Sequence, residues 1–594
     1  MFSYWTRREL LQVALSAYAA PGLQLLRNEI RRDFADPPDD AKMLLYYWWF
    51  GPSQTESQLS KELEAMRSAG AGGVFIFPVY PLSADDNVNY PFLSGRFLEV
   101  LRFAARRAKE LSLTVDLLGG GGWPFGGPSI SLEKSSRTLR RVPKSSPLQE
   151  GDILIAVDED RGMAFLSSPT RQRLKSAVLG GEGWVLDHLD QREVERYLDN
   201  VIGRLVSTLP PGALRSINFD SLEAFGQFWT PDFPAEFRRR RGYDLIPHLR
   251  ALWDDIGEVT PHIRYDYWRT LADLYLDSFQ RPFHEWCKRH RIPLQGKPMG
   301  TPVNDLRAFA LQEYAVAEEY DWLEFSGPRW AASGAHVYGQ NLVGNEAYTW
   351  LRSPRYLTTL QDLKVGSDVN FLAGVNVIIG HGFSYSPDDT DIPGWSYYAG
   401  VYFHPKNTWW PYIPLLMKYV QRVSYILREG IPVADVALLL PEDDEMADCA
   451  MGQLMRDSQK VIVKLRLGRP GEKLPQFDLD TALRNRSPVV STLVTNGYSF
   501  DGVNNDALQA ARIENRRLRV GLGNYGVLVL PSIKGVPVET MEKISAFARA
   551  GGRVIAIGQA PSLCYGLPDW RAKSARVCEL AASVFNGGRG RIVP

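Results

Sequence analysis

Residues 319–350, EYDWLEFSGPRWAASGAHVYGQNLVGNEAYTW, contain the pattern that decides the fold. Two short apolar and aromatic runs each end on a carboxylate, Glu324 and Glu346, and a segment of small residues with helical character lies between them. This order predicts a strand, a helix and a second strand, with an acid at the C-terminal end of each strand. Because successive strand ends converge on one face of a parallel barrel, the pattern predicts that the two acids lie close together.

Segments of the same kind continue on both sides of this stretch. Apolar runs alternate with amphipathic helical segments, as in βαβ units of a parallel sheet. Besides the two strands above, the apolar runs are LLYYWWF, GGVFIFPVY, LTVDLLGGGGWPFGGP, LRSINFDSLE, IPLQGKPM and VNVIIGHGFSYSP, of which LRSINFDSLE closes on Asp220 and Glu223. Eight strands predict an α/β fold, a (β/α)8 TIM barrel over residues 40–430. Short alternating segments such as DILIAVDED predict a small β insertion near residues 137–187.

The pattern changes after Gly430, and a second domain is predicted over residues 432–594. Its apolar strands VADVALLLP, YGVLVLPSI and GGRVIAIG, with a helix VETMEKISAFARAG, predict a doubly wound, flavodoxin- or amidotransferase-like α/β domain. The sequence GLGNYG at residues 521–526 matches GxGxxG but precedes its strand, which is the wrong side for holding a phosphate on a helix N-terminus. No Cys lies at a strand-to-helix turn, so we interpret this domain as structural.

The composition favours a sugar over a nucleic acid as the partner. The 594 residues include 68 Lys plus Arg and 68 Asp plus Glu, and the basic run at residues 238–241 is best explained as a solvated helix end. With 16 Trp and 26 Tyr, the chain has many rings that suit the flat C–H faces of sugars. The four Cys have no CxxC spacing, which argues against a zinc site. No stretch reaches the length of a membrane span.

The N-terminus, residues 1–22, has features of an export signal. Arg7-Arg8 precedes a modest apolar run and the small-x-small sequence Ala17-Tyr18-Ala19, and this resembles a bacterial twin-arginine signal. The expectation is a periplasmic or secreted protein. The alternative is an amphipathic N-terminal helix on a cytoplasmic protein, because the apolar run is short.

Several motifs in a shared order resemble glycoside hydrolase family 106, the α-L-rhamnosidases. They cover residues 43–422 and comprise YYWWFGP, MRSAGAGGVFIFP, LLGGGGWPFGGP, FDSLE with FWTPDFPAEFRRRRGYDL, ASGAHVYGQNLVGNEAYTW, GVNVIIGHGFSYSP and PGWSYYAGVYFHPKNTWW. The resemblance implies an inverting exo-hydrolase that removes terminal α-L-rhamnose from an oligosaccharide, polysaccharide or glycoside. It also implies calcium as a cofactor, with ligands that the motifs do not identify.

By position in these motifs, Glu223 takes the place of the general acid and Glu346 that of the general base. Glu324 falls where the family has a further carboxylate that orients water, binds sugar or holds calcium. Inverting hydrolysis requires one protonated and one ionised carboxyl group about 6.5–9.5 Å apart. The neighbours Phe219, Leu222 and Phe225 predict an apolar pocket that keeps Glu223 protonated.

The remaining candidates are substrate-binding residues at predicted strand ends and loops. His336 and His381 are each expected either to bind a sugar hydroxyl or to orient a neighbouring carboxylate. The other predicted substrate-binding residues are Asp220, Trp123, Asn345, Trp395 and Asp116.

The sequence departs from the family motif at Leu222, which replaces a Trp, and at Trp322, which replaces an acid. These departures leave open a catalytically inactive carbohydrate-binding barrel. A retaining, β-galactosidase-like glycosidase is a second alternative, because a barrel followed by an α/β module also occurs there. Nothing in the sequence indicates an oligomeric state.

Overall fold

A computed structural model describes residues 30–83, 88–298, 306–319, 326–350, 356–452 and 488–594. The predicted export segment at residues 1–22 and the predicted site residue Glu324 lie outside these ranges, so both stay predictions. Within the ranges, no helix is both long and apolar enough to cross a membrane.

Eight parallel strands form one sheet that curves into a barrel, which confirms the predicted fold class. The strands pair in the order β5-β4-β3-β2-β1-β8-β7-β6. Across the remaining seam between β5 and β6, the backbone N–H of Glu313 donates to the carbonyl of Leu294 at 2.8 Å. The strands are β1 Leu44–Phe50, β2 Gly73–Val79, β3 Thr114–Leu118, β4 Ser216–Phe219, β5 Leu294–Gly296, β6 Ala315–Glu318, β7 Val343–Ala347 and β8 Val377–Ser384.

The barrel strands are buried on both faces, as parallel strands covered by helices must be. Along β1 the side chains alternate between two cores. Tyr47 and Trp49 pack in the layer between the sheet and the helices, while Tyr46 and Trp48 fill the lumen of the barrel. Aromatic side chains therefore occupy both the lumen of the barrel and the layer outside it.

Helices on the outside connect the strands and begin and end where the sequence signals predict. Thr55 caps the first helix by accepting a hydrogen bond from the N–H of Gln58, and Gly70 ends it with φ 99°. The barrel helices are α1 Glu56–Ala69, α2 Gly95–Glu110, α3 Gln191–Tyr197, α4 Gly203–Thr208, α5 Phe233–Arg241, α6 Thr260–Tyr275, α7 Arg281–His290, α8 Ser326–Tyr338, α9 Leu360–Ala373 and α10 Ile413–Arg428.

The sequence predicted a strand ending on Glu324, a run that lies outside the described residues. The barrel strand that the structure describes before α8 is β6, Ala315–Glu318. Its run AVAE is short and made of small residues, so the more aromatic residues that follow it gave the stronger strand signal. Glu318 is therefore the acid at the end of β6.

A β insertion lies between β3 and β4 and reaches over the mouth of the barrel. Its three-stranded antiparallel sheet pairs Arg137–Pro143 with Met163–Pro169, which also pairs with Ile153–Asp158. The glycine-rich loop after β3 packs against the insertion so closely that a Cβ on Gly126 would lie 2.1 Å from the carbonyl oxygen of Trp184. The backbone N–H of Lys175 donates to the carbonyl of Trp123 at 2.7 Å, which holds the insertion over this loop.

A second parallel sheet follows the barrel. Its order, β10-β9-β11-β12-β13, is the flavodoxin-like arrangement. Its strands are β9 Val436–Leu439, β10 Phe500–Val503, β11 Val527–Pro531, β12 Arg553–Ile557 and β13 Gly590–Val593. Its helices are α11 Glu442–Asp448, α12 Pro488–Thr495, α13 Asn505–Ala510, α14 Val538–Arg549 and α15 Trp570–Phe585.

The crevice where such a sheet usually binds a ligand is filled by the chain itself. In this order of strands the crevice lies beyond the C-terminal ends of β9 and β11. There the Asp444 carboxylate accepts hydrogen bonds from the backbone N–H groups of Lys534 and Gly535, at 2.7 and 2.9 Å, and from the Tyr565 hydroxyl at 2.8 Å. An internal carboxylate thus occupies the N–H groups that an anionic ligand would need.

Candidate active site

Four charged side chains meet at the C-terminal ends of neighbouring barrel strands. Asp220 directly follows β4 and Lys297 directly follows β5, and the last residues of these two strands are partners in the sheet. Glu318 and Glu346 lie opposite each other on β6 and β7. All four are buried. This is the face on which TIM-barrel enzymes carry their active sites.

Lys297 is at the centre of this group. Its Nζ forms short ion pairs with Asp220 and Glu346 and lies 3.2 Å from Oε2 of Glu318. Its side chain is only 4% exposed, and the Tyr46 ring centroid is 5.9 Å from Nζ. A buried lysine is tolerated when its charge is paired, and here three carboxylates supply the pairing.

The pKa values of the three acids are shifted differently because they share one ammonium group unequally. Burial raises the pKa of Glu346, but Lys297 and then His381 outweigh it and hold the pKa at about 2. Burial raises the pKa of Asp220 to about 6, against the opposing effect of Lys297. Burial, followed by the charge of Glu346, raises the pKa of Glu318 well above its usual value. The site therefore favours the ionised form of Glu346 and the neutral form of Glu318.

The Glu346 carboxylate is also fixed by neutral groups. The Thr349 hydroxyl donates to Oε1 at 2.7 Å, and His381 Nε2 lies 3.5 Å from the same oxygen. Burial lowers the pKa of His381 to about 4, so the imidazole is neutral near pH 7. Of the two roles predicted for His381, its position beside Glu346 favours orienting the carboxylate.

Glu223 lies in a loop beyond β4 and is surrounded by polar groups. Lys175 Nζ lies 3.0 and 2.9 Å from its two carboxylate oxygens, Trp123 Nε1 donates at 3.3 Å and the Ser221 hydroxyl at 3.1 Å. The prediction of an apolar pocket is therefore wrong, because Leu222 packs into the core and the insertion brings Lys175 to the carboxylate. The Glu223 side chain is 14% exposed and is the most accessible of the four acids.

Aromatic rings form the wall beside these acids. Trp48 stacks on Tyr397 with ring centroids 3.9 Å apart, and Phe77 meets Trp123 edge-to-face at 5.2 Å. Trp395 lies farther out, with its ring centroid 6.0 Å from that of Phe50 at the end of β1. Such a wall can pack against the C–H face of a sugar while the carboxylates receive its hydroxyl groups.

Two predicted substrate residues on strands are not at the site. Asn345 precedes Glu346 on β7, so its side chain points to the opposite face and donates to Asn370 on α9 at 2.7 Å. Asp116 pairs in the sheet with Ser216, the first residue of β4, and its carboxylate is held by Arg215 and by the Ser216 hydroxyl. Asp116 therefore lies toward the N-terminal end of the barrel, whereas Asp220 lies at the C-terminal end.

The third misplaced prediction is His336. It lies on α8, outside the barrel sheet, and its Nδ1 is 2.9 Å from Oδ1 of Asp501 on β10 of the second sheet. Arg329, also on α8, binds the same carboxylate oxygen at 2.9 Å. His336 thus joins the barrel to the second domain and is not part of the acid cluster.

The sequence interpretation missed three residues that the structure brings to the site. Lys297 lies near the C-terminal end of the predicted strand IPLQGKPM, so the rule that located the acids would have located it too. Glu318 was missed because its strand was placed too late in the chain. Lys175 carried no signal, since its position depends on how the insertion folds over the barrel.

The calcium ion implied by the resemblance does not fit the acid cluster. In the described part of the chain, one group of three potential ligands lies within 4.8 Å of one another, namely Asp220, Glu318 and Glu346. Calcium takes six to eight oxygen ligands at about 2.3–2.6 Å. The Lys297 ammonium already contacts all three carboxylates, so it takes the place that the ion would need.

Comparison with known proteins places the chain among glycoside hydrolases. The model of glycoside hydrolase family 106, alpha-L-rhamnosidase, matches residues 163–459, half of the chain. A putative beta-glucuronidase from Formosa agariphila is 24% identical over 686 aligned residues, covering 98% of this chain and 54% of that protein. The chain thus spans about half the length of this curated relative.

Solved structures share the fold. A rhamnosidase from Novosphingobium sp. PP1Y superposes with a TM-score of 0.69 at 17% identity, covering 95% of this chain and 73% of that one. A beta-galactosidase from Halorubrum lacusprofundi gives a TM-score of 0.56 at 11% identity, covering 91% and 76%. At these identities the likeness concerns the fold alone.

Proposed function

The chain belongs to glycoside hydrolase family 106, the α-L-rhamnosidase family, and from this we propose that it removes terminal α-L-rhamnose from glycosides or glycans with inversion at the anomeric carbon. The observation that carries the proposal is the cluster of buried acids at the C-terminal ends of the barrel strands, in which burial raises the pKa of Glu346 but Lys297 outweighs it, together with Glu223 in the loop beyond β4. Inverting hydrolysis needs one ionised carboxylate to activate water and a second, separate carboxyl group to donate a proton.

In the proposed reaction Glu346 is the general base. Its low pKa keeps it ionised, and Lys297 and Thr349 hold the carboxylate in place to accept a proton from a water molecule. The water oxygen bonds to the anomeric carbon as the glycosidic bond breaks on the opposite face. The electron pair of that bond goes to the leaving oxygen, which needs a proton.

Glu223 is the proposed proton donor to the leaving oxygen. It is the acid nearest to solvent, where the rest of the substrate would extend. Its donor role requires that the carboxyl group be protonated and released from Lys175 when substrate binds. The Lys175 side chain is 36% exposed, so it has room to move toward solvent. Asp220 and the aromatic wall would bind the sugar ring.

The test is the anomer that forms first from an aryl α-L-rhamnoside, observed by proton NMR. Inversion gives β-L-rhamnose first, whereas a retaining enzyme gives the α anomer. Aryl β-D-galactoside and aryl β-D-glucuronide belong in the same screen, because related proteins carry those names. Turnover of either one without turnover of the rhamnoside would refute the proposed substrate. Rhamnose binding in calorimetry without any turnover would support a binding barrel.

A further inference from the structure

We propose that Lys297 is the resident cation of this active site, standing where a divalent metal ion would otherwise bridge Asp220, Glu318 and Glu346, so that the acid cluster neither binds nor needs calcium. The inference deepens the proposed function and depends on it only where activity is the readout. The binding measurements below need no substrate.

The geometry of the three acids is that of a shared cation site. Their oxygens come from the ends of three strands, lie within 4.8 Å of one another and are buried. Lys297 Nζ touches one oxygen of each acid, and an ammonium group has three N–H donors for three such partners. An incoming metal ion would have to expel a side chain that is 4% exposed and packed by the Tyr46 ring.

The backbone fixes Lys297 in this place. Gly296, the last residue of β5, is so close to Phe219 on β4 that a Cβ at Gly296 would lie 2.0 Å from the Phe219 ring. The two strand ends are therefore pressed together, and the residues that follow them, Lys297 and Asp220, must be neighbours. The pairing of the two strands thus holds Lys297 within the acid cluster.

Charge balance gives an independent argument. Three carboxylates around a calcium ion would be offset by two positive charges, whereas the ammonium supplies one. Burial and the neighbouring Glu346 charge raise the pKa of Glu318, which favours its neutral form and reduces the negative charge in the cluster. One ammonium group plus a proton on Glu318 would offset as much charge as a divalent ion does.

An ammonium group in place of a calcium ion changes how the site can bind a substrate. A calcium ion can add sugar hydroxyl groups to its coordination shell. The Lys297 ammonium group is already enclosed by three carboxylates, which leaves little room beside it for a sugar hydroxyl. Lys297 is therefore a positioning residue that keeps Glu346 ionised, and hydroxyl recognition falls to Asp220 and its neighbours.

The experiment starts from the full chain, dialysed against a chelator and then freed of it. Calorimetric titration with calcium chloride is expected to show no binding at the acid cluster, and the thermal unfolding midpoint is expected to be the same with calcium and with chelator. If the rhamnoside is a substrate, its turnover should change by less than about twofold on chelation, since the cation is covalently part of the chain.

Lys297→Met provides the converse test, because it keeps the length of the side chain and removes the charge. The vacated cluster is expected to bind one calcium ion, with a rise in the unfolding midpoint that the further change Glu318→Gln removes. Lys364→Met, at an exposed lysine paired with Asp368 on α9, is the matched control and should gain no binding. A Lys297→Met protein that folds but gains no calcium binding would count against a cation site.

The wild-type titration decides the matter even if Lys297→Met does not fold. Calcium binding by the wild type that Glu318→Gln abolishes would overturn the proposal, as would an activity lost to chelator and restored by calcium. Wild-type binding that Glu318→Gln leaves unchanged would place the ion elsewhere and support it. Lack of any rhamnosidase activity, with these binding results as expected, would refute only the proposed function.

Discussion

Glu318 and Glu346 face each other across neighbouring strands, yet their pKa values are shifted in opposite directions. The difference follows from the position of Lys297. Its Nζ forms a short ion pair with Glu346 but lies 3.2 Å from Glu318, whose Oε2 makes no hydrogen bond with a described residue. His381 and Thr349 also contact only Glu346 of the two. Two neighbouring carboxyl groups thus have pKa values that are pushed apart.

Replacement of the proposed base should abolish turnover whatever the leaving group. Glu346→Gln is expected to lower kcat by about 10²–10⁴-fold on aryl and alkyl rhamnosides alike, because water attack is needed for both. Steady-state kinetics measure this. Glu313→Gln, at an exposed acid just before β6, is the control and should keep full activity. If Glu346→Gln keeps more than about a tenth of the activity and Glu324→Gln does not, Glu324 is the base.

Replacement of the proposed proton donor should depend on the leaving group. Glu223→Gln is expected to lose about 10²–10⁴-fold in kcat on alkyl rhamnosides and much less on activated aryl rhamnosides, whose leaving oxygen needs little protonation. A series of aryl substrates with graded leaving-group pKa would show a steep dependence in the variant and a shallow one in the wild type. Equal losses across the series would move the donor role to Glu318, the carboxyl group whose pKa burial raises.

The barrel was predicted well from the sequence and the site only in part, because the strands differ in how strong a signal they carry. Strands such as β1 are long, apolar and bounded by turns, so their signal survives without any tertiary information. The four residues of β6 carry almost no strand signal. Glu346 and Asp220 were located because strand ends converge in a barrel.

The remaining errors concern contacts between segments far apart in sequence. Lysine is usually a surface residue, and only the position of Lys297 among neighbouring strand ends shows that it is buried among acids. His336 was given a sugar role because its motif was assigned to the barrel mouth. Its true partner, Asp501, lies in the second domain 165 positions away.

A buried acid outside the site should make stability depend on pH. Burial raises the pKa of Glu62 on α1 to about 8, and the hydroxyl of Tyr47 donates to its carboxyl group at 2.5 Å. Between pH 4.5, the usual value, and pH 8 the folded state holds a proton that the unfolded state has lost. Stability contributed by this group is therefore complete below pH 4.5 and falls by up to about 1.4 kcal/mol per pH unit until pH 8.

Glu62→Gln mimics the protonated form and should flatten this part of the stability profile. The variant is expected to be as stable as the wild type near pH 5 and more stable near pH 8, as measured by urea unfolding at several pH values. Glu64→Gln, at an exposed acid on the same helix, is the control and should leave the slope unchanged. Equal slopes in the wild type and in Glu62→Gln would show that Glu62 does not titrate in this range.

The contact of His336 with Asp501 should prove structural. Asp501 accepts from His336 and Arg329 through Oδ1 and from the Tyr525 hydroxyl through Oδ2 at 3.0 Å. Although burial opposes it, these partners lower the pKa of Asp501. Asp501→Asn leaves the Arg329 guanidinium buried beside a neutral group, a loss of about 3–5 kcal/mol in the free energy of unfolding.

The two roles of His336 are separated by measuring stability and KM together. In Asp501→Asn and in His336→Ala, urea unfolding should show the loss while KM for a rhamnoside changes by less than about twofold, because neither residue reaches the acid cluster. Asp435→Asn removes an exposed ion pair with Arg517 in the same domain and should cost no more than about 1 kcal/mol. A large rise in KM for His336→Ala with unchanged stability would restore the sugar-binding role. The expected result would instead show that the buried Asp501 carboxylate on β10 anchors α8 to the second domain.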